Sequence, residues 1–407
     1  MSNNVSNNVS NSVSNSAPRV AFFADSFHEV NGVALTSRQL DGYARRNNLP
    51  FLSVHAGPQN KLSTDGSVTT LEIRRSRAKF PVEVDLYFDP LFWRNYFVIE
   101  QALESFQPDV IHLTGPSDVG MLAAYFAHSR GIPLVASWHT NLHEFAARRL
   151  HSMLSFIPNK FRDFAAALTE RSTLDGVALF YRIARVLLAP NPDLIRLLEA
   201  KTGKKTFLMR RGVDTTIFNP AKRYRQDGDF VLGFVGRLQP EKNVRLFVEV
   251  EKLLAEENHR FLIIGEGPER EYLKKHLRRA EFTGILQGEA LSNAYANMDL
   301  FLFPSRTDTY GNVVQEALAS GVPAIVTNQG GPQYIVNNGV TGIVARSDEH
   351  YVHCVRDLVT DLARHQQMRN AARAAALEAS WDKVFDNVYC AYRFALEAPA
   401  SEWRAAS

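Results

Sequence analysis

Asp308 and Glu316 stand with seven residues between them in the stretch Phe303-Pro-Ser-Arg-Thr-Asp-Thr-Tyr-Gly-Asn-Val-Val-Gln-Glu316. The stretch reads as the end of a buried strand (residues 300–303), a polar loop that turns at Gly311, and a helix that begins near Asn312. A helix start behind a strand offers free backbone N–H groups and a partial positive charge, which suits a phosphate. Carboxylates repel phosphate, so the two acids are better matched to hydroxyl groups on either side of it. An anion between two polyols describes a nucleoside diphosphate sugar. Taken alone, the same acids would be an ordinary loop residue and an ordinary helix-surface residue. The rest of the chain weighs between the two readings.

Other residues add to the first reading. Arg237 and Lys242 lie in GFVGRLQPEKN, residues 233–243, where a strand ending at Gly236 leads into a helix. Arg supplies a planar set of donors and Lys a point charge, and together they suit a diphosphate. Gly32 ends the loop Asp25-Ser-Phe-His-Glu-Val-Asn-Gly32, ahead of a helical stretch over 34–45. A glycine there lets backbone approach a phosphate, and serves equally as a plain turn residue. His139 follows the apolar run 134–137, at a strand end where a cleft would lie; a satisfied structural histidine is the plainer reading. His139 and His143 are four apart, but no third ligand and no HExxH arrangement accompany them, so no metal site is expected. IIGEGP at 263–268, FTGIL at 282–286 and Gly330-Gly331-Pro332 read as glycine turns at further strand ends.

These residues must be held by alternating elements. Short apolar runs at 20–24, 51–55, 110–113, 134–137 and 186–189 read as strands, and so do 207–209, 230–235, 260–264, 300–303 and 324–327. Unbroken apolar strands separated by helical patterns indicate parallel sheets covered on both faces. The expected fold is α/β, with two doubly wound Rossmann-like domains facing across a cleft, and ligands at the C-terminal ends of strands. The divisions are a Ser/Asn-rich disordered tail at 1–17, a first domain at 18–205 and a linker at 206–228. A second domain follows at 229–380, then a C-terminal helix and tail at 381–407, with the first domain as its candidate packing partner.

Composition narrows the classes. The chain has 407 residues, a natural length for two domains. No run of 18 uncharged apolar residues exists to span a membrane. The opening residues lack the charged start and apolar core of a signal peptide. With only two cysteines, Cys354 and Cys390, no disulfide framework is expected and a reducing cytosol fits. Net charge is +3, yet residues 141–225 hold 16 Lys and Arg against 7 Asp and Glu. Such an excess suits an anionic ligand or membrane surface, or is simply a solvated helical face. No nucleic-acid motif accompanies it, so no nucleic-acid partner is expected.

GFVGRLQPEKN, IIGEGPE, FTG, DLFLFPS and the two acids with seven residues between them, in this order and spacing, resemble the retaining glycosyltransferases of family 4, which have the GT-B fold. The resemblance runs from Pro18 to about Phe394, and implies that the first domain binds the acceptor and the second the nucleotide sugar. The first loop, Asp25 to Gly32, resembles that of lipid-acting members such as phosphatidylinositol mannosyltransferases and diacylglycerol glycosyltransferases. The resemblance implies that Arg237 and Lys242 bind the donor diphosphate, Asp308 holds hydroxyls of the transferred sugar and Glu316 takes the ribose hydroxyls. It implies that backbone at Gly311, Asn312 and Val313 caps the diphosphate, Gly32 closes over the phosphates, His139 faces the sugar and Leu286 lies by the base. Two departures are visible: Asp308 stands where Glu is usual, shortening the reach by one carbon, and Tyr310 where Phe is usual.

The implied activity is hexosyl transfer from a GDP- or UDP-linked sugar, with retention, to a lipid, lipid-linked or polyol acceptor. Arg and Lys serve where other transferases use a metal, so no cofactor is expected. The apolar and aromatic stretch at 80–97, with the basic excess and the first loop, suggests a cytoplasmic protein attached peripherally to the inner face of the cell membrane. Packing of that stretch inside the first domain, with a soluble acceptor, is the alternative. Other readings are a nucleotide-sugar epimerase or phosphorylase on the same fold, an inactive nucleotide-sugar-binding protein, and, least favoured, a sugar hydrolase.

Overall fold

The computed structural model describes residues 17–29, 31–83, 86–139 and 159–397. His143, Arg148 and Arg149 lie outside the described residues, as do nearly all of the expected N-terminal tail and the last ten residues.

The first sheet is built from β1 (Val20–Ala24), β2 (Phe51–Gly57), β3 (Lys61–Asp65) and β4 (Val68–Arg74). After a separate strand pair, β5 (Phe80–Glu83) and β6 (Leu86–Phe88), it takes in β7 (Val110–Leu113), β8 (Leu134–Ser137), β9 (Val186–Ala189) and β10 (Thr206–Leu208). The order is β10-β9-β8-β7-β1-β2-β4-β3, parallel except at the β3–β4 edge. The second sheet holds β11 (Phe230–Val235), β12 (His259–Ile264), β13 (Ala280–Gly284), β14 (Leu300–Phe303), β15 (Ala324–Thr327) and β16 (Gly342–Ala345). Its order is β13-β12-β11-β14-β15-β16, and each pair of neighbours is parallel. Both units are doubly wound, and the fold is GT-B. The order reverses at β1, between β7 and β2, and at β11, between β14 and β12. Loops leaving the strands at such a reversal splay apart and open a crevice.

All ten apolar runs form strands, because fully buried parallel strands need apolar residues on both faces. Besides β13, five strands lie outside those ten runs. Lys61–Asp65 is exposed along its whole length, and Val68–Arg74 carries two threonines and a glutamate. The pair Phe80–Glu83 and Leu86–Phe88 stands apart from both sheets, and Gly342–Ala345 is a short edge strand. The expected linker start at 206 falls inside β10, which pairs with β9, so the connection between the sheets begins after Leu208.

Each sheet has its own core, and the chain returns to the first domain at its end. Trp381, Phe385, Val388, Tyr389 and Tyr392, from the helix Trp381–Glu397, are buried in one cluster with Val20, Phe22, Val110 and Val186. The connection after β10 packs on this crossing: a Cβ on Gly212 would lie 2.5 Å from Trp381, and Val213 N–H donates to Ala379. Further on, Asp299 anchors the connection to the second domain, accepting from Arg223 at 2.7 Å and from Arg225 and Val231.

Candidate active site

At the second domain's reversal, β11 is followed by Gly236 and β12 by Gly265, both with positive φ. A Cβ on Gly265 would lie 2.0 Å from the Gly236 carbonyl oxygen, and one on Gly267 would lie 2.3 Å from that of Leu238. Only glycine permits these backbones to touch. The loop after β11 is thereby fixed, with Leu238 N–H donating to Glu266 and Glu269 N–H donating to Leu238. Arg237 on this loop is exposed. Lys242 ends the short 3-10 turn Pro240–Lys242. Its ammonium donates to both carboxylate oxygens of Asp308, at 2.6 and 2.8 Å, and sits 5.6 Å from the Phe303 ring centre.

Asp308 lies on the loop leaving β14, the other lip of the crevice. Gly330-Gly331 supports that loop from below: Gly331 N–H donates to the Asp308 carbonyl at 2.7 Å, and a Cβ on Gly331 would lie 2.1 Å from the Thr309 carbonyl oxygen. Gly311, at φ +100°, turns the chain into the helix Asn312–Ala319 and gives it no side-chain cap. The amides of Asn312 and Val313 therefore have no intrahelical acceptor and no capping oxygen from Gly311. One turn on, Glu316 accepts from the Tyr295 hydroxyl at 2.9 Å. Burial pushes its carboxyl up to about 7.

The first domain approaches from the other side. Asn31 caps the helix Gly32–Arg46, and a Cβ on Gly32 would lie 3.3 Å from Asn312 Nδ2. Thr309 Oγ1 donates to the His139 carbonyl at 3.1 Å, and Asn191 Nδ2 donates to the Thr309 carbonyl at 2.8 Å. Lys242, Asp308, Gly311, Asn312 and Gly32 thus come together across the crevice, with Val313 and Glu316 on the same helix. His139 is buried beside them, but its ring nitrogens already face Ser137 and Arg211. Burial, then the Arg211 charge, hold its pKa well below the ordinary histidine range. Leu286, just past β13, packs against the second domain's core. Among the described residues no group of three or more His, Cys, Asp or Glu could hold a metal ion.

At the first domain's reversal, Asp25 follows β1 and its N–H donates to Thr114 Oγ1, just past β7. Ser117 donates to the Asp25 carboxylate. Burial raises this carboxyl to about 7, against the hydrogen bond from Ser117. Asp25 and Arg211 are site residues that sequence reasoning did not single out. Asp25 carried a usable signal, its place immediately after a strand; Arg211 carried none, since a cation among other cations in a connection looks solvated.

Matches to known proteins agree with this geometry. Residues 229–361 match the family described as glycosyl transferases group 1, and residues 52–217 match glycosyltransferase family 4. The chain is 31% identical over 382 residues to a GDP-mannose-dependent alpha-mannosyltransferase of Mycobacterium tuberculosis, covering 91% of this chain and 95% of that protein. It is 30% identical over 304 residues to a sulfoquinovosyl transferase of Arabidopsis thaliana, covering 70% and 56%. Among solved structures, a sucrose-phosphate synthase from Thermosynechococcus elongatus superposes with a TM-score of 0.67 at 15% identity, over 95% of this chain and 99% of that one, a likeness of fold. Two doubly wound domains, a paired Lys and Asp at an uncapped helix start, and these matches place the chain in glycosyltransferase family 4.

Proposed function

We propose that the chain transfers a mannosyl group from GDP-mannose to a hydroxyl of a lipid or lipid-linked acceptor, with retention. The Lys242–Asp308 pair beside the uncapped start of Asn312–Ala319 carries the donor half of this reading. Lys242, Arg237 and the amides of Asn312 and Val313 take the diphosphate. Asp308 takes hydroxyls of the sugar, Glu316 those of the ribose, and Leu286 borders the base. Gly32 covers the phosphates, and His139 borders the sugar. The name of the mycobacterial relative supports GDP-mannose as the donor.

As the anomeric C–O bond breaks, positive charge develops on the carbon and negative charge on the departing diphosphate. Fixed cations and amide dipoles that hold that charge most strongly in the transition state lower the barrier. The acceptor oxygen bonds to the anomeric carbon on the face the phosphate leaves, and the departing phosphate oxygen takes the acceptor's proton. Lys242 and Arg237 supply the countercharge, so turnover is expected to persist in excess chelator.

A thermal-shift series with GDP, UDP, ADP and their sugars tests the donor. A ligand at a hundred times its Kd stabilises the native state by about 2.7 kcal/mol, so GDP-mannose should raise the melting temperature most. A larger shift with a UDP or ADP sugar would replace the donor. The product of an α-linked donor should be α-linked by NMR, and a β-linkage would overturn the retaining mechanism.

Exposed aromatic residues support the membrane half. Trp93 is 43% and Phe97 75% exposed; Leu91, Val98 and Tyr125 are exposed as well, and so is Phe80 on the separate strand pair. The basic excess contributes less than its count suggests. Arg182 and Arg211 donate to backbone carbonyls, Lys201 pairs with Asp175, and Arg223 and Arg225 hold Asp299. Attachment is therefore assigned to the aromatic face, aided by nearby bases. In flotation with vesicles of phosphatidylcholine and phosphatidylserine at low salt, the wild type should float and a Trp93→Ser/Phe97→Ser variant should not. A wild type that stays unbound would favour a soluble polyol acceptor.

A further inference from the structure

Arg211 is 4% exposed and lies in the connection between the two sheets. Its Nη1 donates to the Gly32 carbonyl at 3.1 Å, and its Nη2 donates to His139 Nδ1 at 2.9 Å. Among the described residues no carboxylate forms an ion pair with it. Burial lowers its pKa only to about 10, so the guanidinium stays charged. A buried charge without a carboxylate is expensive, and its retention needs a reason beyond stability.

The partners supply that reason. A guanidinium only donates. Nδ1 of His139 must therefore accept, and the ring hydrogen sits on Nε2, which faces Ser137 Oγ at 2.7 Å. The contacts continue from Ser137 to His112 at 3.0 Å and from His112 to Tyr392 at 2.7 Å, in the returning C-terminal helix. On the other side, the Tyr310 hydroxyl lies 3.1 Å from the Arg211 carbonyl oxygen. This hydroxyl ties the loop that carries Asp308 to the connection. One buried residue thus touches the first loop, the histidine at the end of β8 and the loop that carries Asp308.

We propose that Arg211 is a positioning residue for glycosyl transfer, fixing His139 as the tautomer with hydrogen on Nε2 and holding the Gly32 backbone against the second domain. The role given to Gly32 rests on the donor site proposed above. Arg211 acts through Gly32 and His139 and does not itself touch the donor.

The test pairs a spectroscopic reading with a binding one. In protein labelled with 15N-histidine, with His139 assigned by its loss in His139→Gln, the wild type at pH 7 should show a protonated Nε2 and a bare Nδ1. A wild type with hydrogen on Nδ1 overturns the proposal before any variant is made. Arg211→Met keeps the bulk and removes the donor, so His139 should become a mixture of tautomers, and GDP should bind about tenfold more weakly because the Gly32 backbone that covers the phosphates is no longer held. Arg211→Lys should restore both towards wild type. A single unchanged tautomer, or unchanged GDP affinity, in Arg211→Met overturns the proposal. Lys242→Ala run alongside separates the two ideas: if it binds GDP like the wild type, the donor site fails, while the tautomer still decides Arg211.

Discussion

Lys242→Ala should reduce turnover of the donor by about a hundredfold, the scale seen when one preorganised donor to a developing anion is removed. The ammonium is held between the Asp308 carboxylate and the Phe303 ring, at the crevice where β11 and β14 part. A cation placed before substrate arrives needs no reorganisation as charge builds on the leaving diphosphate. Ground-state binding should suffer less, by tenfold or somewhat more, because a charged hydrogen bond is worth roughly 1.5–3 kcal/mol and Arg237 and the helix amides remain. Arg237→Ala, on an exposed side chain, should lose less than Lys242→Ala. The Lys242 change also leaves Asp308 without its cation, so Asp308→Asn is the control. It should slow transfer of the sugar while leaving GDP affinity nearly intact, since GDP carries no sugar. GDP release from GDP-mannose and GDP titrations measure both effects. Wild-type kinetics in Lys242→Ala and Arg237→Ala together would remove these residues from the donor site.

Much of the second domain's half of the site was legible because it is local. Strand, glycine turn and helix start follow one another within residues 233–243 and 303–316, and each has its own physical signature: apolar run, forced φ, free amides. What was not legible joins residues far apart in the chain. Nothing near Lys242 announces Asp308, and nothing near Arg211 announces Gly32 or His139. Those pairings exist only because β14 lies beside β11 and the last helix returns to the first domain. Polarity hid other features. Lys61–Asp65 and Val68–Arg74 sit towards a sheet edge, where one side faces water and no apolar run is needed. Charge misled in the opposite direction, because a count of Lys and Arg cannot distinguish a solvated base from Arg223 and Arg225, whose guanidinium groups are used up on Asp299.

Glu316→Gln should weaken GDP binding by tenfold or more at pH 8 and flatten its dependence on pH. In the unliganded protein burial holds the Glu316 carboxyl at about 7, with only the Tyr295 hydroxyl opposing the shift. Ribose hydroxyls bind best to the ionised carboxylate, which accepts two hydrogen bonds at once. Affinity in the wild type should therefore fall as pH drops below about 7, by up to tenfold per unit if the protonated form does not bind. Stability runs the other way. The folded-state pKa lies above the ordinary value of 4.5, so this group's contribution is full below 4.5 and is lost as pH rises through about 7. Asp25, raised to about 7 from 3.8, adds to the same loss with rising pH. Unliganded protein should then become less stable across the window in which it gains nucleotide. Calorimetric titration with GDP from pH 5.5 to 8.5 checks this in wild type and Glu316→Gln side by side, because GDP's own phosphate ionisation is common to both and the difference between the profiles belongs to Glu316. Parallel profiles, offset or not, would mean that Glu316 does not titrate against the ribose and that its raised pKa reflects burial beside Tyr295 alone.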